Sequence, residues 1–308
     1  MPELQRSEDK EEKTMLEPQQ AGVSVAFKRE EGYIPRVAAV HDLCGYGKCS
    51  LGIAIPVLSA AGCDVCPVPT GVFSSHTAFP GWYMHDITGI LPEYLAAWEG
   101  IGVEIDAVYS GFLGAPEQVD RIRDLYERYP NALRVVDPVM ADHGKVYPTY
   151  TPELCQAMAQ LACDADILTP NLTEASIILG CDWPGTDISD AQAADMVNGL
   201  LDLGAKSVVL KGIQREGEQV VRNFIGVQGG EISEASNEYL PYMLHGTGDL
   251  YCSCLMAAVM TGRELQEAAA FAGDFVHDAM LVSAKQPNFR DRGVSFEPLL
   301  GRVCDLLR

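Results

Sequence analysis

From Arg36 onward, short apolar runs alternate with amphipathic stretches, and this alternation constrains the fold more than any other feature of the chain. The runs cover residues 37–40, 65–68, 107–109, 135–136, 167–168 and 208–210. Several are separated by segments of helical period. Residues 116–129 open with Pro116 and Glu117 and repeat apolar side chains at Val119, Ile122 and Leu125; residues 152–161 and 191–203 show the same spacing. Strand-length runs divided by helices predict an α/β three-layer sandwich: a mostly parallel central sheet with helices on both faces. Later in the chain, residues 219–225 with Gly229 and Gly230 nearby predict a hairpin, and three closing helices are expected near 248–262, 264–284 and 295–307. No internal repeat and no linker interrupts the pattern, so residues 35–308 are expected to form one domain.

Residues 1–34 are rich in Glu, Lys, Gln and Asp and read as a mostly disordered acidic tail, because they offer too little apolar surface to offset chain entropy. The net charge of -21 argues against a polyanionic partner, so neither nucleic acid nor a membrane surface is expected. Small phosphate-bearing ligands stay open, since helix N-termini, a few lysines and a metal can outweigh the global field in one pocket. The 10 cysteines lack disulfide-framework spacing, and Cys63-x-x-Cys66 stands alone without a second metal-binding pair. Reduced thiols, no basic apolar leader and no apolar run long enough to span a bilayer lead to a cytoplasmic expectation.

In open α/β sheets ligands gather at the carboxyl ends of the strands, and the polar clusters of this chain follow its apolar runs. The most informative is His245-Gly246-Thr247-Gly248-Asp249-Leu250, which precedes an apolar stretch. A Gly-x-Gly turn opening a helix directs backbone N–H groups, and the positive end of the helix dipole, at an approaching anion. A carboxylate in the first turn can take a proton from a hydroxyl while those amides hold the phosphoryl group under attack. The ordinary alternative is a helix start capped by Thr247, with Asp249 complementing the dipole.

Four further clusters carry the same double reading. Asp137-Pro138-Val139-Met140 follows a strand, either as a carboxylate for a metal or phosphate or as a turn. Thr169-Pro170-Asn171-Leu172-Thr173-Glu174 offers a Glu for water-bridged magnesium, and equally a capping box with Asn171 as cap. Lys211 ends a strand and brings a cation to the same edge. The loop Phe73-Ser74-Ser75-His76-Thr77 and the turn Ser110-Gly111-Phe112-Leu113-Gly114 could serve a small polar ligand or simply close turns. The loop from Asp42 through Gly45 and Gly47 has Ser50 where a dinucleotide fingerprint needs glycine, and no Walker motif occurs.

Taken together and in this order, the motifs 73–77, 110–114, 137–140, 169–174 and 246–249 resemble the ribokinase-like superfamily, and within it the pyridoxal/pyridoxamine kinases, over about residues 36–281. The resemblance implies the ribokinase-like three-layer fold and ATP-dependent phosphorylation of the 5′-hydroxymethyl group of pyridoxal, pyridoxamine or pyridoxine, in B6 salvage. It implies Asp249 as the base, with Gly246, Thr247 and Gly248 as the anion hole. The ATP side would fall on Asp137, Thr169, Glu174 and Lys211, with Mg²⁺ near Asp137 and Glu174 and room for a monovalent cation. The vitamer side would fall on Asp42 and Thr77 together with Asp249, and a homodimer is expected. Pyridoxal kinases commonly carry serine at the place of Asp42, and an aspartate followed by two glycines is shared with hydroxymethylpyrimidine kinases, which form the rival enzyme reading. A non-catalytic vitamer-binding protein is the rival outside enzymes, and the intact Asp249 speaks against it.

Overall fold

Adjacent residues on the central strands send their side chains into two different cores, the signature of a sheet covered on both faces. Val37, Ala107, Val135, Ile167 and Val209 enter one core, and Ala38, Val108, Val136, Leu168 and Val208 enter the other. The period of two forces this split, and burial on both faces explains why these runs are continuously apolar rather than alternating with polar residues.

The computed structural model describes residues 27–308. In chain order it begins with β1 (Arg36–Cys44), α1 (Leu51–Ala60), β2 (Asp64–Phe73), β3 (Met84–Asp86), α2 (Leu91–Gly100), β4 (Ala107–Ser110), α3 (Glu117–Arg128) and β5 (Leu133–Val136). It continues with β6 (Ala141–Asp142), β7 (Lys145–Val146), α4 (Pro152–Ala162), β8 (Ile167–Leu168), α5 (Leu172–Leu179) and α6 (Asp190–Asp202). It closes with β9 (Ser207–Gln214), β10 (Val220–Val227), β11 (Ser233–Glu238), α7 (Thr247–Met260), α8 (Leu265–Ser283), α9 (Phe289–Arg292) and α10 (Leu300–Cys304).

Nine strands form one sheet in the order β11-β10-β9-β8-β5-β4-β1-β2-β3. The six from β9 to β2 are parallel, while β3, β10 and β11 add antiparallel edges. β6 and β7 make a separate small hairpin. Helices α2 to α6 cover one face; α1, α7, α8 and α10 cover the other. Every side chain of α7 from Leu250 to Met260 is buried, so this helix is apolar all round and lies in the core.

All six apolar runs are strands, and the helices expected at 116–129, 152–161 and 191–203 are α3, α4 and α6. The hairpin expected near 219–225 is β10 with β11. The helix expected at 295–307 is instead the short α10 between two single 3₁₀ turns, since Pro298 and Gly301 punctuate it. Residues 1–26 of the expected tail lie outside the described residues. Residues 27–34 run along the domain: Arg29 donates to the carbonyls of Ala61 (2.8 Å) and Gly62 (2.9 Å), and the Tyr33 hydroxyl bonds Asp106. Among the described residues no helix is long and apolar enough to cross a membrane.

Candidate active site

The parallel ladder lines up the polar residues that follow each strand. Val40, Ser110, Val136 and Leu168 stand side by side in register. One step further the amides of Gly111, Asp137 and Thr169 bond the carbonyls of Val40 (3.0 Å), Ser110 (2.9 Å) and Val136 (3.0 Å). Lys211 joins through its amide to the Pro170 carbonyl at 2.9 Å. Backbone pairing therefore delivers Asp137, Thr169 and Lys211 to one edge, with Asp42 just past Val40.

On the nucleotide side expected from the sequence, Lys211 Nζ donates to Asp137 Oδ1 and to the Thr169 carbonyl (2.6 Å), and the Thr169 hydroxyl donates to the same Asp137 oxygen at 3.2 Å. Burial works against the Lys211 charge, but Asp137 and Glu174 outweigh it and hold the ammonium above its ordinary range. Burial likewise pushes Asp137 up, opposed by Lys211. Asp137 Oδ2 is buried without a partner. Glu174 is the third residue of a complete capping box: Asn171 N donates to Oε2 (2.8 Å), and Glu174 N donates to the Asn171 side chain (2.9 Å). Burial, with the Asp137 charge adding and Lys211 opposing, raises its carboxyl to about 8. Both of its oxygens accept backbone bonds, Oε2 in the capping box and Oε1 from Met140 N at 3.3 Å, while the charges of Asp137 and Lys211 act on the same carboxylate. Among the described residues no three His, Cys, Asp or Glu side chains form a metal cage. A pair of carboxylates is the donor set of an ion that keeps most of its waters. A hollow lined by His143, Thr173, Trp183 and Gln214 opens where Gly212 follows Lys211.

Gly246, not Thr247, caps α7. Its φ of 82° is left-handed, and a Cβ there would sit 2.1 Å from the Lys48 carbonyl, so only glycine fits. The Thr247 hydroxyl turns back to the Leu244 carbonyl (3.2 Å), leaving the first amides of α7 to the site. Asp249 is half-buried in that first turn. Loss of water raises its carboxyl to about 7, with Asp137 and Asp42 adding and the Ser50 amide and Lys211 opposing. It thus lies within electrostatic reach of Lys211, Asp137 and Asp42.

Asp42 is 5% exposed and accepts a hydrogen bond from the Ser50 hydroxyl. Burial raises it to about 6, opposed by Ser50. Thr77 is exposed and makes no hydrogen bond with any of these groups. Its neighbour His76 is the inward residue: Nε2 meets the Asp291 carbonyl at 3.0 Å, and the ring stacks on His245 with centroids 4.4 Å apart. The structure thus brings Asp42, Asp137, Thr169, Glu174, Lys211, Gly246, Thr247, Gly248 and Asp249 to one edge and leaves Thr77 on its rim.

Residues 84–292 match the profile of a family described as phosphomethylpyrimidine kinase, which is more than half of the chain. The chain belongs to the phosphomethylpyrimidine kinase family. It is 30% identical over 268 residues to a pyridoxal kinase of Actinobacillus pleuropneumoniae, covering 80% of this chain and 89% of that one. Among solved structures it resembles a Bacteroides thetaiotaomicron protein of the phosphomethylpyrimidine kinase type crystallised with pyridoxal: 32% identity, TM-score 0.84, 88% of this chain and 96% of the other. It also resembles the pyridoxal kinase of Lactobacillus plantarum: 26% identity, TM-score 0.82, 89% and 98% of the two chains. The ribokinase-like fold and the pyridoxal kinase kinship expected from the motifs both hold.

Three features of this family member were not singled out in the sequence. Ser50 contacts Asp42 through its hydroxyl and turns its amide toward Asp249. Lys48 places its carbonyl against Gly246, and Glu297 pairs with its ammonium. Tyr147 lies near Glu174, Asp142, Asp249 and Asp137, whose charges add to burial in raising its phenol. Only for Ser50 was there a sequence signal: it occupies the place where a phosphate loop would carry glycine.

Proposed function

We propose that this chain transfers the γ-phosphoryl group of ATP to the 5′-hydroxymethyl group of a B6 vitamer, as its kinship with pyridoxal kinases suggests. The observation that carries the reading is the position of Asp249. It stands in the first turn of a helix whose cap only glycine can form, within electrostatic reach of the Asp137–Lys211 pair and of Asp42.

Asp249, raised to about 7, is a base matched to neutral pH. It accepts the proton of the vitamer hydroxyl as that oxygen bonds the γ-phosphorus and the bond to the departing ADP oxygen breaks. The amides of Thr247 and Gly248, with the α7 dipole, stabilise charge on the group in flight. Lys211 supplies a fixed cation, held by Asp137 and the Thr169 carbonyl. Asp137, with a free buried oxygen, and Glu174 are fitted to hold Mg²⁺ with the nucleotide. When bound, that ion would neutralise phosphate charge. Asp42, with Thr77 on the rim, faces the vitamer. The enzyme acts in the cytoplasm as a homodimer.

The family description supports a second acceptor, hydroxymethylpyrimidine. An ATP-consumption assay across pyridoxal, pyridoxamine, pyridoxine and hydroxymethylpyrimidine separates the two. Turnover of a B6 vitamer well above hydroxymethylpyrimidine is expected. The reverse order would move the enzyme to pyrimidine phosphorylation.

A further inference from the structure

Ser50 occupies a conformation that serine rarely adopts. Its φ of 52° and ψ of -130° lie in a region that is essentially glycine's, and yet the residue is 5% exposed and immediately precedes α1. Strain of this kind persists only where the surroundings over-determine it. Three contacts hold it. Its carbonyl accepts from the amides of Ile53 and Ala54, starting α1; its hydroxyl donates to Asp42 Oδ1 at 2.5 Å; its amide is directed at Asp249. A glycine would meet the backbone requirement and the amide contact without strain. What serine adds is the hydroxyl.

The loop that carries Ser50 is otherwise pinned at both ends of the site. Gly45 N bonds the Phe73 carbonyl at 2.8 Å and His76 N bonds the Tyr46 carbonyl at 3.1 Å, while the Lys48 carbonyl packs on Gly246, the cap of the anion hole. Asp42 belongs to β1 and Asp249 to α7, elements on different layers. Two carboxylates that repel one another need a donor between them to stay aligned.

We propose that Ser50 is a positioning residue that sets the acceptor-side carboxylate relative to the base, its hydroxyl fixing the Asp42 rotamer while its amide faces Asp249. This rests on the kinase reading above and deepens it: Ser50 acts on acceptor affinity through Asp42 and touches neither the phosphoryl group nor the nucleotide. A donor committed to one Asp42 oxygen leaves the other oxygen to the vitamer.

The test is a double-mutant cycle with ATP and either pyridoxamine or pyridoxal as acceptor, on wild type, Ser50→Ala, Ser50→Gly, Asp42→Ala and Ser50→Ala/Asp42→Ala. Both Ser50 variants should lower kcat/KM about 10-fold, mostly through KM, as expected for losing a hydrogen bond to a charged group. With Asp42→Ala already present, Ser50→Ala should change kcat/KM less than about twofold. Ser50→Gly relieves the backbone strain, so it keeps the test open should Ser50→Ala fold poorly. An undiminished Ser50 effect in the Asp42→Ala protein, a loss confined to kcat, or wild-type kinetics in both single variants would each overturn the role of Ser50 alone. A wild type inert on both vitamers would overturn the B6 reading, and this inference with it.

Discussion

Lys211 Nζ donates to one oxygen of Asp137, and the other oxygen of that buried carboxylate has no partner. The pair is thus half-closed: one lone-pair set secures the cation, and the other is left for whatever binds at the strand ends. Replacing Lys211 by Met should therefore do two things. It would leave Asp137 buried without its counter-charge, costing about 3–5 kcal/mol of stability, and it should weaken nucleotide binding. Thermal unfolding and calorimetric ADP titration check both; an unchanged melting temperature would show that the pair is not held together as drawn.

Asp249→Asn preserves shape and removes the proton acceptor. Turnover should fall about 10²- to 10⁴-fold, while nucleotide affinity stays close to wild type. Steady-state kinetics with a B6 vitamer, set beside an ADP titration, decide the matter: near-normal kcat in the variant ends the role assigned to Asp249.

The same residue fixes an acid limb for activity. Below about 7 Asp249 is protonated in the free enzyme and cannot accept the hydroxyl proton. The pH profile of kcat/KM should therefore rise toward neutrality with a midpoint near that value, because this ratio reports the free enzyme. A profile that stays flat from about pH 5 to about pH 7 would contradict it.

Stability runs the other way with pH. Glu174 has an ordinary value of 4.5 and is raised to about 8 by burial. A carboxyl raised in the folded state binds its proton more tightly there than in the unfolded chain, so the folded state loses stability as pH climbs from the first value through the second. The melting temperature of the ligand-free protein should decline across that window, and Glu174→Gln should flatten the decline. Mg²⁺ with nucleotide should restore stability, since the cation favours the ionised carboxylate.

Asp42 is a candidate for vitamer choice. A carboxylate can pair with the ammonium of pyridoxamine in a way that a serine hydroxyl cannot. Asp42→Ser should lower the pyridoxamine-to-pyridoxal ratio of kcat/KM about 10-fold. Equal loss on both vitamers would mean that Asp42 holds the site without selecting the acceptor.

The sheet was legible because its strands are apolar on two faces: Val37 beside Ala38 and Val135 beside Val136 leave no polar position to mistake for a surface. The motifs 110–114, 137–140 and 169–174 were legible for a related reason, since each directly follows such a run and the ladder carries it to the edge. β11, Ser233-Glu234-Ala235-Ser236-Asn237-Glu238, the second arm of the expected hairpin, carries no strand pattern of its own. It is held by backbone pairing to β10 and by bonds such as Asn237 to Asp274 on α8 (2.6 Å), neither of which leaves an apolar pattern. Thr77 is set on the vitamer side by the resemblance alone, and the loop turns His76 in and leaves Thr77 exposed. Ser50 showed in the sequence only as a missing glycine, because its contacts depend on a backbone angle that side-chain type alone argues against.

α7 is gripped along its whole length from Leu250 to Met260, so Asp249, the proposed proton acceptor, stands at the head of a helix buried on every side. Asp42 is braced instead from the surface loop between β1 and α1. On the proposed roles, the loop therefore meets both the acceptor-side carboxylate, through Ser50, and the helix of the base, through Lys48 against Gly246. Tailoring the enzyme to a different alcohol would thus mean changing Asp42 and its Ser50 brace while keeping the Lys48 carbonyl seated against Gly246.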